Sequence, residues 1–303
     1  MSGPLAASEA SSVTQVFRTV DLSPGLYVVA TPIGNLRDIS LRALDILASV
    51  ETIFAEDTRQ TKRLLDAYGI DAQLKPYHDH NGAQMRPLVM KYVADGKAVA
   101  LVSDAGTPLI SDPGYKLVRD IGEAGGTVIP IPGPSAAITA LSAAGLPTDM
   151  FTFCGFLPPK SGQRQEKLKS FAGQKLTLVF YETGPRLLAA LEDIVTVFGA
   201  ATEIAVGREL TKKFEEIIRQ SASAAVERLE ENGPPKGEIV LMISLTGEEG
   251  APASEADIDH YITDRLASLG AKGAASEAAR EFKLPKRELY ARAVALQARD
   301  RDD

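Results

Sequence analysis

The stretch AVALVSDAGTPLISDPG, residues 98–114, joins a short apolar run to a dense loop. Its first five residues are all Ala, Val or Leu, as expected of a strand buried on both faces of a parallel sheet. The next twelve, 103–114, hold two Asp, two Gly and two Pro, which is more than a simple connection needs. Ligands of open α/β sheets bind in loops that follow strands. We therefore expect a ligand loop here, in which Asp104 can accept hydrogen bonds from a ribose or an amine.

The same alternation of short apolar runs and helix-like segments extends in both directions from this stretch. Apolar runs at 26–30, 52–55 and 127–130 predict strands, and apolar spacing predicts helices over 58–68 and 114–124. Alternating strands and helices indicate an α/β fold with a mainly parallel sheet that is covered on both faces.

A second series of strands and helices begins after Pro147. Its strongest predicted strands cover 151–154, 176–181 and 238–243, and the segment 254–299 reads as helical. Seven Lys or Arg and three Glu lie between residues 271 and 299. We predict a disordered tail, an N-terminal α/β domain, a second α/β domain, and a linker with a helical, helix-turn-helix-like region. Their respective bounds are 1–22, 23–148, 149–246 and 247–303.

Composition disfavours several classes of protein. The 303 residues are 45% hydrophobic, which is enough apolar material for more than one core. The single cysteine, Cys154, can form neither an intrachain disulfide nor a cysteine-based zinc site, which favours a reducing cytoplasm. No apolar run approaches the ~20 residues that a membrane span needs. A net charge of −7 disfavours binding of nucleic acid by bulk charge alone, although local basic patches can supply it.

Three more loops follow predicted strands, at residues 31–38, 56–61 and 130–137. Taken singly, each is explained about as well by a tight turn, a helix cap at Asp57 or a proline-rich turn as by a ligand. No Gly-x-Gly-x-x-Gly or phosphate-loop motif occurs, so those nucleotide-binding loops are unsupported. His78 and His80 flank Asp79, but a solvated loop explains them better than a metal site does.

Together, the loops form a combination typical of one superfamily. The matching segments are VATPIGNLRD (29–38), AEDTR (55–59), SDAGTPLISDPG (103–114), IPGPSA (131–136), GFLP (155–158), FYE (180–182) and GRELTK (207–212). Over roughly residues 24–299 the chain resembles the tetrapyrrole-methylase-like superfamily. Within it, the chain is similar to the bacterial methyltransferases that modify a cytidine ribose in 16S ribosomal RNA.

This resemblance implies S-adenosylmethionine as the methyl donor, bound in a cleft between two α/β domains. It also implies a homodimer that acts on 16S ribosomal RNA in the small ribosomal subunit. The donor-binding positions carry over to Pro32, Asp104, Thr107, Ser135 and Ala136, with later contacts expected near Phe156, Val206 and Gly237 to Ile239.

Transfer of a methyl group to a ribose 2′-hydroxyl needs a group that takes the hydroxyl proton. The candidates are the carboxylates of Glu56, Asp57 and Glu209, and the amine of Lys212 if burial lowers its pKa. The sequence does not choose among them, and the chemistry requires no metal.

Two other functions remain open from the sequence. One is a methyltransferase for a corrin precursor, which would need a deep apolar acceptor cleft. The other is a regulator that senses S-adenosylmethionine and binds nucleic acid through its C-terminal helices. Turnover separates this regulator from an enzyme, because a sensor binds the donor without consuming it.

Overall fold

The computed structural model describes residues 16–112, 114–245, 255–282 and 284–299. By its internal contacts the chain divides into two compact units, Met1–Thr246 and Gly247–Asp303. Within the described residues, no helix combines the length and the apolar character needed to cross a membrane.

The first sheet of the larger unit has five parallel strands in the order β3-β2-β4-β1-β5. Its strands are β1 (Gly25–Val29), β2 (Thr52–Ala55), β3 (Leu74–Pro76), β4 (Ala98–Val102) and β5 (Val128–Ile131). The helices that follow them are α1 (Leu41–Ser49), α2 (Thr58–Tyr68), α3 (Gly82–Ala94), α4 (Tyr115–Glu123) and α5 (Ala136–Ala144). Because all five strands are parallel, the loops that follow them lie at one edge of the sheet.

Both faces of this sheet are buried, as the apolar run at 98–102 indicates. Along β4, Val99 and Leu101 pack into a core with α3 and α4. Ala100 and Val102, which point to the opposite face, pack into a core with α1 and α2. Successive strand residues face opposite sides, so a strand apolar at every position serves two cores.

The second sheet is mixed, with the order β6-β7-β10-β8-β9. Only β6 and β7 are parallel, and the other pairs are antiparallel. Its strands are β6 (Phe151–Phe156), β7 (Thr177–Thr183), β8 (Glu203–Arg208), β9 (Glu216–Ser221) and β10 (Glu238–Ser244). Its helices are α6 (Ser161–Lys169), α7 (Gly184–Phe198) and α8 (Ala222–Asn232). The expectation of mainly parallel strands therefore describes the first sheet and not the second.

Helix α5 joins the two sheets, because it follows β5 of the first sheet but packs on the second. Its Ala140 and Leu141 lie in one core with Val179 of β7 and with Val240 and Met242 of β10. The other face of the second sheet forms a separate core with α6, α7 and α8. The predicted division at residue 148 stays a prediction.

Residues 16–22 differ from the expected disordered tail, since they lie along α1. The backbone N–H of Arg18 donates to Asp45 Oδ1 at 2.7 Å, and that of Val20 donates to Ser49 Oγ at 2.9 Å. Phe17 also packs against the first core. Burial of this aromatic ring offsets the entropy lost in ordering the segment. Residues 1–15 of the predicted tail lie outside the described residues.

The smaller unit is helical, with α9 (Glu255–Glu281) and α10 (Lys286–Arg299). Gly270 interrupts α9 with a φ of 62°, a conformation that favours glycine. Ile262, Ala278 and Leu289 lie in the apolar core of this unit. The predicted linker, 246–252, lies outside the described residues.

Candidate active site: a cleft of two adjoining cavities

Two cavities of about 310 Å³ each adjoin at the edge of the first sheet where its strands end. We call them the inner cavity and the outer cavity. The inner cavity is lined by loops of both sheets, including Glu56, Thr107, Asp112, Ser135, Ala136, Phe156 and Tyr181. The outer cavity is lined by the loop after β1, by α2 and by Lys212, and includes Pro32, Gln60 and Arg63. Ile33, Asp104, Ala105 and Glu238 line both cavities.

Backbone hydrogen bonds fix the loops that form this cleft. Thr31 and Gly106 exchange two of them, at 2.9 and 3.0 Å, which ties the loop after β1 to the loop after β4. The Thr107 hydroxyl donates to the carbonyl oxygen of Pro134 at 3.0 Å, which adds the loop after β5. The backbone N–H of Asp57 donates to Asp104 Oδ1 at 2.8 Å, which adds the loop after β2. The four loops thus meet because parallel strands end at one edge.

Backbone strain is concentrated around the same cleft. Among the described residues, the non-glycine residues with positive φ are Leu109 (74°), Ser111 (66°), Glu209 (49°) and Thr211 (65°). All four belong to the two loops 103–114 and 209–215. Such conformations cost about 1–3 kcal/mol each and persist where packing enforces them, often at functional sites.

Gly34 marks a close approach between the loop after β1 and the loop after β8. A Cβ atom there would lie 2.5 Å from Lys212 Cγ and 2.8 Å from Thr211 Oγ1. Only glycine leaves room for this contact, so the Gly-Asn turn of the first loop serves to seat the loop after β8.

The two cavities differ in charge. Five of the described residues that line the inner cavity carry carboxylates: Glu56, Asp104, Asp112, Glu182 and Glu238. None of the described residues that line this cavity is Lys or Arg. The outer cavity has two cations, Arg63 and Lys212, beside Asp104 and Glu238. The inner cavity therefore suits a cationic ligand, and the outer cavity can hold an anionic one.

Glu56 directly follows β2 and contacts Asp104, one of the residues that line both cavities. Its Oε2 accepts a hydrogen bond of 3.4 Å from the backbone N–H of Asp104. Burial raises its pKa, and the negative charges of Asp104, Asp112 and Asp79 add to the shift against the opposing Asp104 hydrogen bond. A carboxylate with a raised pKa accepts a proton more readily, which is the property of a general base.

Asp57 is placed differently from its neighbour. Its Oδ1 accepts from the backbone N–H of Arg59 at 2.8 Å, so it caps α2. Hydrogen bonds from the Arg59 side chain, then from its backbone, lower the pKa of Asp57 to about 2. The Asp57 carboxylate is thus a helix cap that holds an arginine, and a weak proton acceptor.

Glu209 and Lys212 form a network with Glu238. Lys212 Nζ donates to Glu209 Oε1 at 3.0 Å and to Glu238 Oε2 at 2.9 Å. Burial opposes the charge on Lys212, but hydrogen bonds to Glu238 and Glu209 outweigh it and raise the pKa of the amine. The hydrogen bond from Lys212 is the main cause that lowers the pKa of Glu209. The condition for Lys212 to act as a base, a pKa lowered by burial, is therefore not met.

Six of the eight predicted donor-binding residues line the cleft. Pro32 lines the outer cavity, Asp104 lines both, and Thr107, Ser135, Ala136 and Phe156 line the inner one.

The other two are not among the residues that line the cleft, although Glu238 and Ile239, which follow Gly237 in the expected range, line the inner cavity. Val206 packs into the core beneath α7 and α8, because its strand position points to the face away from the cleft. Gly237 has a φ of +105°, and a Cβ atom there would lie 2.5 Å from the Glu209 carboxyl group. This glycine makes room for Glu209 next to the cleft.

Tyr181, Asp112 and Glu182 are among the residues of the inner cavity that were not singled out as binding residues from the sequence. Tyr181 packs edge-on against Phe153 and Phe156, with ring centroids 4.8 and 5.8 Å apart. Asp112 and Glu182 each have a pKa that is raised, first of all by burial. The repeated aromatic residues of β6 and β7 were a usable signal, because aromatic rings on paired strands face each other at every second position.

The His78 and His80 rings lie 6.0 Å apart, in the loop after β3. Among the described residues, no group of three His, Cys, Asp or Glu is arranged to hold a metal ion.

Comparisons with known proteins agree with this architecture. The family model of the tetrapyrrole (corrin/porphyrin) methylases matches residues 25–226, and that of the RsmI C-terminal HTH domain matches residues 252–297. The chain is 46% identical over 276 residues to "Ribosomal RNA small subunit methyltransferase I" of Mesorhizobium japonicum, covering 91% of this chain and 93% of the relative. It is 47% identical over 286 residues to the protein of that name in Escherichia coli O157:H7, covering 92% and 98%.

A solved structure shares the fold at low identity. The uroporphyrin-III C-methyltransferase of Thermus thermophilus matches with a TM-score of 0.51 at 19% identity, covering 74% of this chain and 95% of that one. On the family model and the two relatives, the chain belongs to the tetrapyrrole (corrin/porphyrin) methylase family, and it is a methyltransferase.

Proposed function

We propose that this protein transfers a methyl group from S-adenosylmethionine to the ribose 2′-hydroxyl of a cytidine in 16S ribosomal RNA of the small subunit. The observation that carries the proposal is the pair of adjoining cavities with different charge, one acidic and one that includes two cations. The names of the relatives support ribosomal RNA as the substrate.

The inner cavity is the proposed donor site. S-adenosylmethionine carries a sulfonium and an ammonium group, and the carboxylates of Asp104 and Asp112 suit both. The rings of Phe156 and Tyr181 offer apolar surface for the adenine. At the start of α5, Ser135 makes no side-chain cap, so backbone N–H groups of the first turn can donate to the donor's polar atoms.

The outer cavity is the proposed acceptor site. Arg63 and Lys212 line it, and Arg59 and Lys62 lie exposed on the same helix as Arg63. Cations in such positions contact phosphate oxygens and position an RNA strand without reading its sequence. Because Asp104 lines both cavities, a ribose in the outer cavity would lie beside the reacting part of a donor in the inner one.

The chemical step then needs alignment and proton removal. The 2′-oxygen attacks the methyl carbon, an O–C bond forms, the S–C bond breaks, and the hydroxyl proton passes to a carboxylate. Holding the two reactants in line can supply about 7–11 kcal/mol of the barrier. We propose Glu56 as the proton acceptor, while the Lys212–Glu209–Glu238 network positions the wall of the outer cavity.

The test uses small ribosomal subunits from cells that lack the enzyme. We expect methyl label from S-adenosylmethionine to appear at one cytidine ribose, with the adjoining linkage resistant to alkaline cleavage. Binding of the donor with no label in subunits or in free ribosomal RNA would contradict the proposal. That result would favour a tetrapyrrole substrate or a regulator.

The C-terminal unit is a proposed RNA contact. On α10, Lys286, Arg287 and Tyr290 are exposed, which suits contact with phosphates and stacking on a base. We expect the double change Lys286→Ala with Arg287→Ala to raise the KM for subunits roughly tenfold, because phosphate contacts carry much of the affinity. The dissociation constant of the donor should not change.

A matched control changes two exposed lysines near the end of α3, Lys91→Ala with Lys97→Ala. An equal rise in KM in both variants would show a general charge effect and contradict a specific contact. The homodimer implied by the resemblance stays a prediction.

A further inference from the structure

The carboxylates of the inner cavity divide into two groups. Glu238 forms an ion pair with Lys212, and Glu182 forms one with Arg186. The other three, Glu56, Asp104 and Asp112, form no ion pair with a described Lys or Arg. We call these three residues the unpaired carboxylates.

The unpaired carboxylates lie close together. The backbone N–H of Asp104 donates to Glu56 Oε2 at 3.4 Å, and all three residues line the inner cavity. Burial first, and then the negative charges of Asp104 and Asp79, raise the pKa of both Glu56 and Asp112. Like charges held together in this way cost free energy, and a cationic ligand removes that cost.

The donor and the product of the proposed reaction differ in the charge on their sulfur atom. The sulfur of S-adenosylmethionine is a positive sulfonium, whereas that of S-adenosylhomocysteine is a neutral thioether. Apart from the transferred methyl group, the remaining groups of the two molecules are the same. Hydrogen bonds and apolar contacts to the adenine, the ribose and the amino acid therefore cannot separate them, but an electrostatic field at the sulfur can.

We propose that Glu56, Asp104 and Asp112 act as a charge filter that holds the sulfonium donor more tightly than the thioether product. This inference rests on the proposed function, because it assumes that the donor occupies the inner cavity. Its consequence is that the product leaves readily after transfer, since the attraction to the sulfur ends with the reaction.

The charges of the reaction step balance within the cavity. Transfer of the methyl group removes one positive charge from sulfur. If the hydroxyl proton passes to Glu56, one negative charge disappears as well. The net charge of the cavity and its contents is then the same before and after the step, so the unpaired carboxylates take up the proton without an added electrostatic cost.

The test measures calorimetric dissociation constants of the full-length protein for three probes. They are S-adenosylmethionine, S-adenosylhomocysteine and sinefungin, which carries an amine on carbon in place of the sulfonium. We expect Asp112→Asn to weaken both cationic probes about tenfold and the neutral thioether less than about twofold. Glu56→Gln should act in the same way. Asp149→Asn, at an exposed carboxylate outside the cleft, is the matched control and should change none of the three constants.

Three outcomes separate the two proposals. Equal weakening of all three probes would overturn the charge filter, because the variant would then have damaged the site as a whole. Tighter binding of the thioether than of both cationic probes by the unaltered protein would overturn it as well. Absence of binding of any probe to the unaltered protein would instead contradict the proposed function. Thermal melting of each variant shows whether it is folded. If Asp112→Asn is not folded, Glu56→Gln takes its place in the test.

Discussion

Replacing Glu56 with glutamine should lower the rate of methyl transfer by about 10²- to 10⁴-fold, measured in a single turnover with donor and RNA saturating. Glutamine keeps the shape and the hydrogen bond from Asp104, but it cannot take the proton of the ribose hydroxyl. Saturating donor removes the effect that loss of charge has on binding. The rate that remains then reports the chemical step.

The neighbouring Asp57 provides a close control. Asp57→Asn keeps a side chain that caps helices well and loses only an exposed ion pair, so we expect a rate within about threefold of the unaltered protein. A collapse of the rate in Asp104→Asn with little change in Glu56→Gln would identify Asp104 as the base and contradict our assignment.

The pH dependence follows from the same assignment. Glu56 must be deprotonated to accept a proton, and burial, then repulsion by Asp104, Asp112 and Asp79, raise its pKa. The rate should therefore be constant above this raised pKa and fall as the pH drops through it. In Glu56→Gln this acid limb should disappear.

Replacing Asp193 with alanine should destabilise the larger unit by about 3–5 kcal/mol, because it leaves a buried arginine without its partner. Arg164 and Asp193 are 4% and 5% exposed. Asp193 accepts from Arg164, from Ser161 at 2.8 Å and from Gln165 at 2.7 Å. Although burial acts in the other direction, these hydrogen bonds lower the pKa of Asp193.

The same arginine also donates to the carbonyl oxygens of Pro158 and Pro159, which follow Phe156 of the inner cavity. The Asp193→Ala change should therefore lower the urea midpoint of unfolding and also weaken binding of the donor. Glu192→Ala, an exposed neighbour on α7, should stay within about 0.5 kcal/mol of the unaltered protein. The double change Arg164→Met with Asp193→Leu should recover much of the stability. If the double variant lost as much stability as Asp193→Ala, the explanation by an unpaired buried charge would be contradicted.

Some elements could be predicted from the sequence because local signals mark both ends. Helix α2 has the predicted bounds, 58–68, since Asp57 caps its start and Gly69, with a φ of 68°, ends it. Strand β3 and helix α3 were not predicted. The strand is three residues long and ends in proline, and α3 contains Pro87. Strand direction in the second sheet also escaped prediction, because its central strands are buried on both faces and are therefore apolar at most positions, as in a parallel sheet.

The loops that form the site could be predicted from the sequence, but the chemical properties of its side chains could be predicted less well. Loops rich in Gly, Pro and Asp after strands indicated where the cleft lies. The protonation of Lys212 could not be read in the same way, because it depends on Glu238, a residue 26 positions away that only the fold brings near. The side of the sheet to which Val206 points also depends on strand register, which a motif match does not specify.

Helix α5 limits how proteins of this family can exchange parts by recombination. It is encoded with the first half of the chain, yet its apolar side completes a core of the second sheet. A hybrid gene joined at residue 148 would pair the α5 of one parent with the second sheet of the other. A join at the turn before α5, between residues 131 and 136, would keep the helix with its own sheet. If the two halves are exchanged by recombination, we therefore expect the join to lie between residues 131 and 136 and not at residue 148.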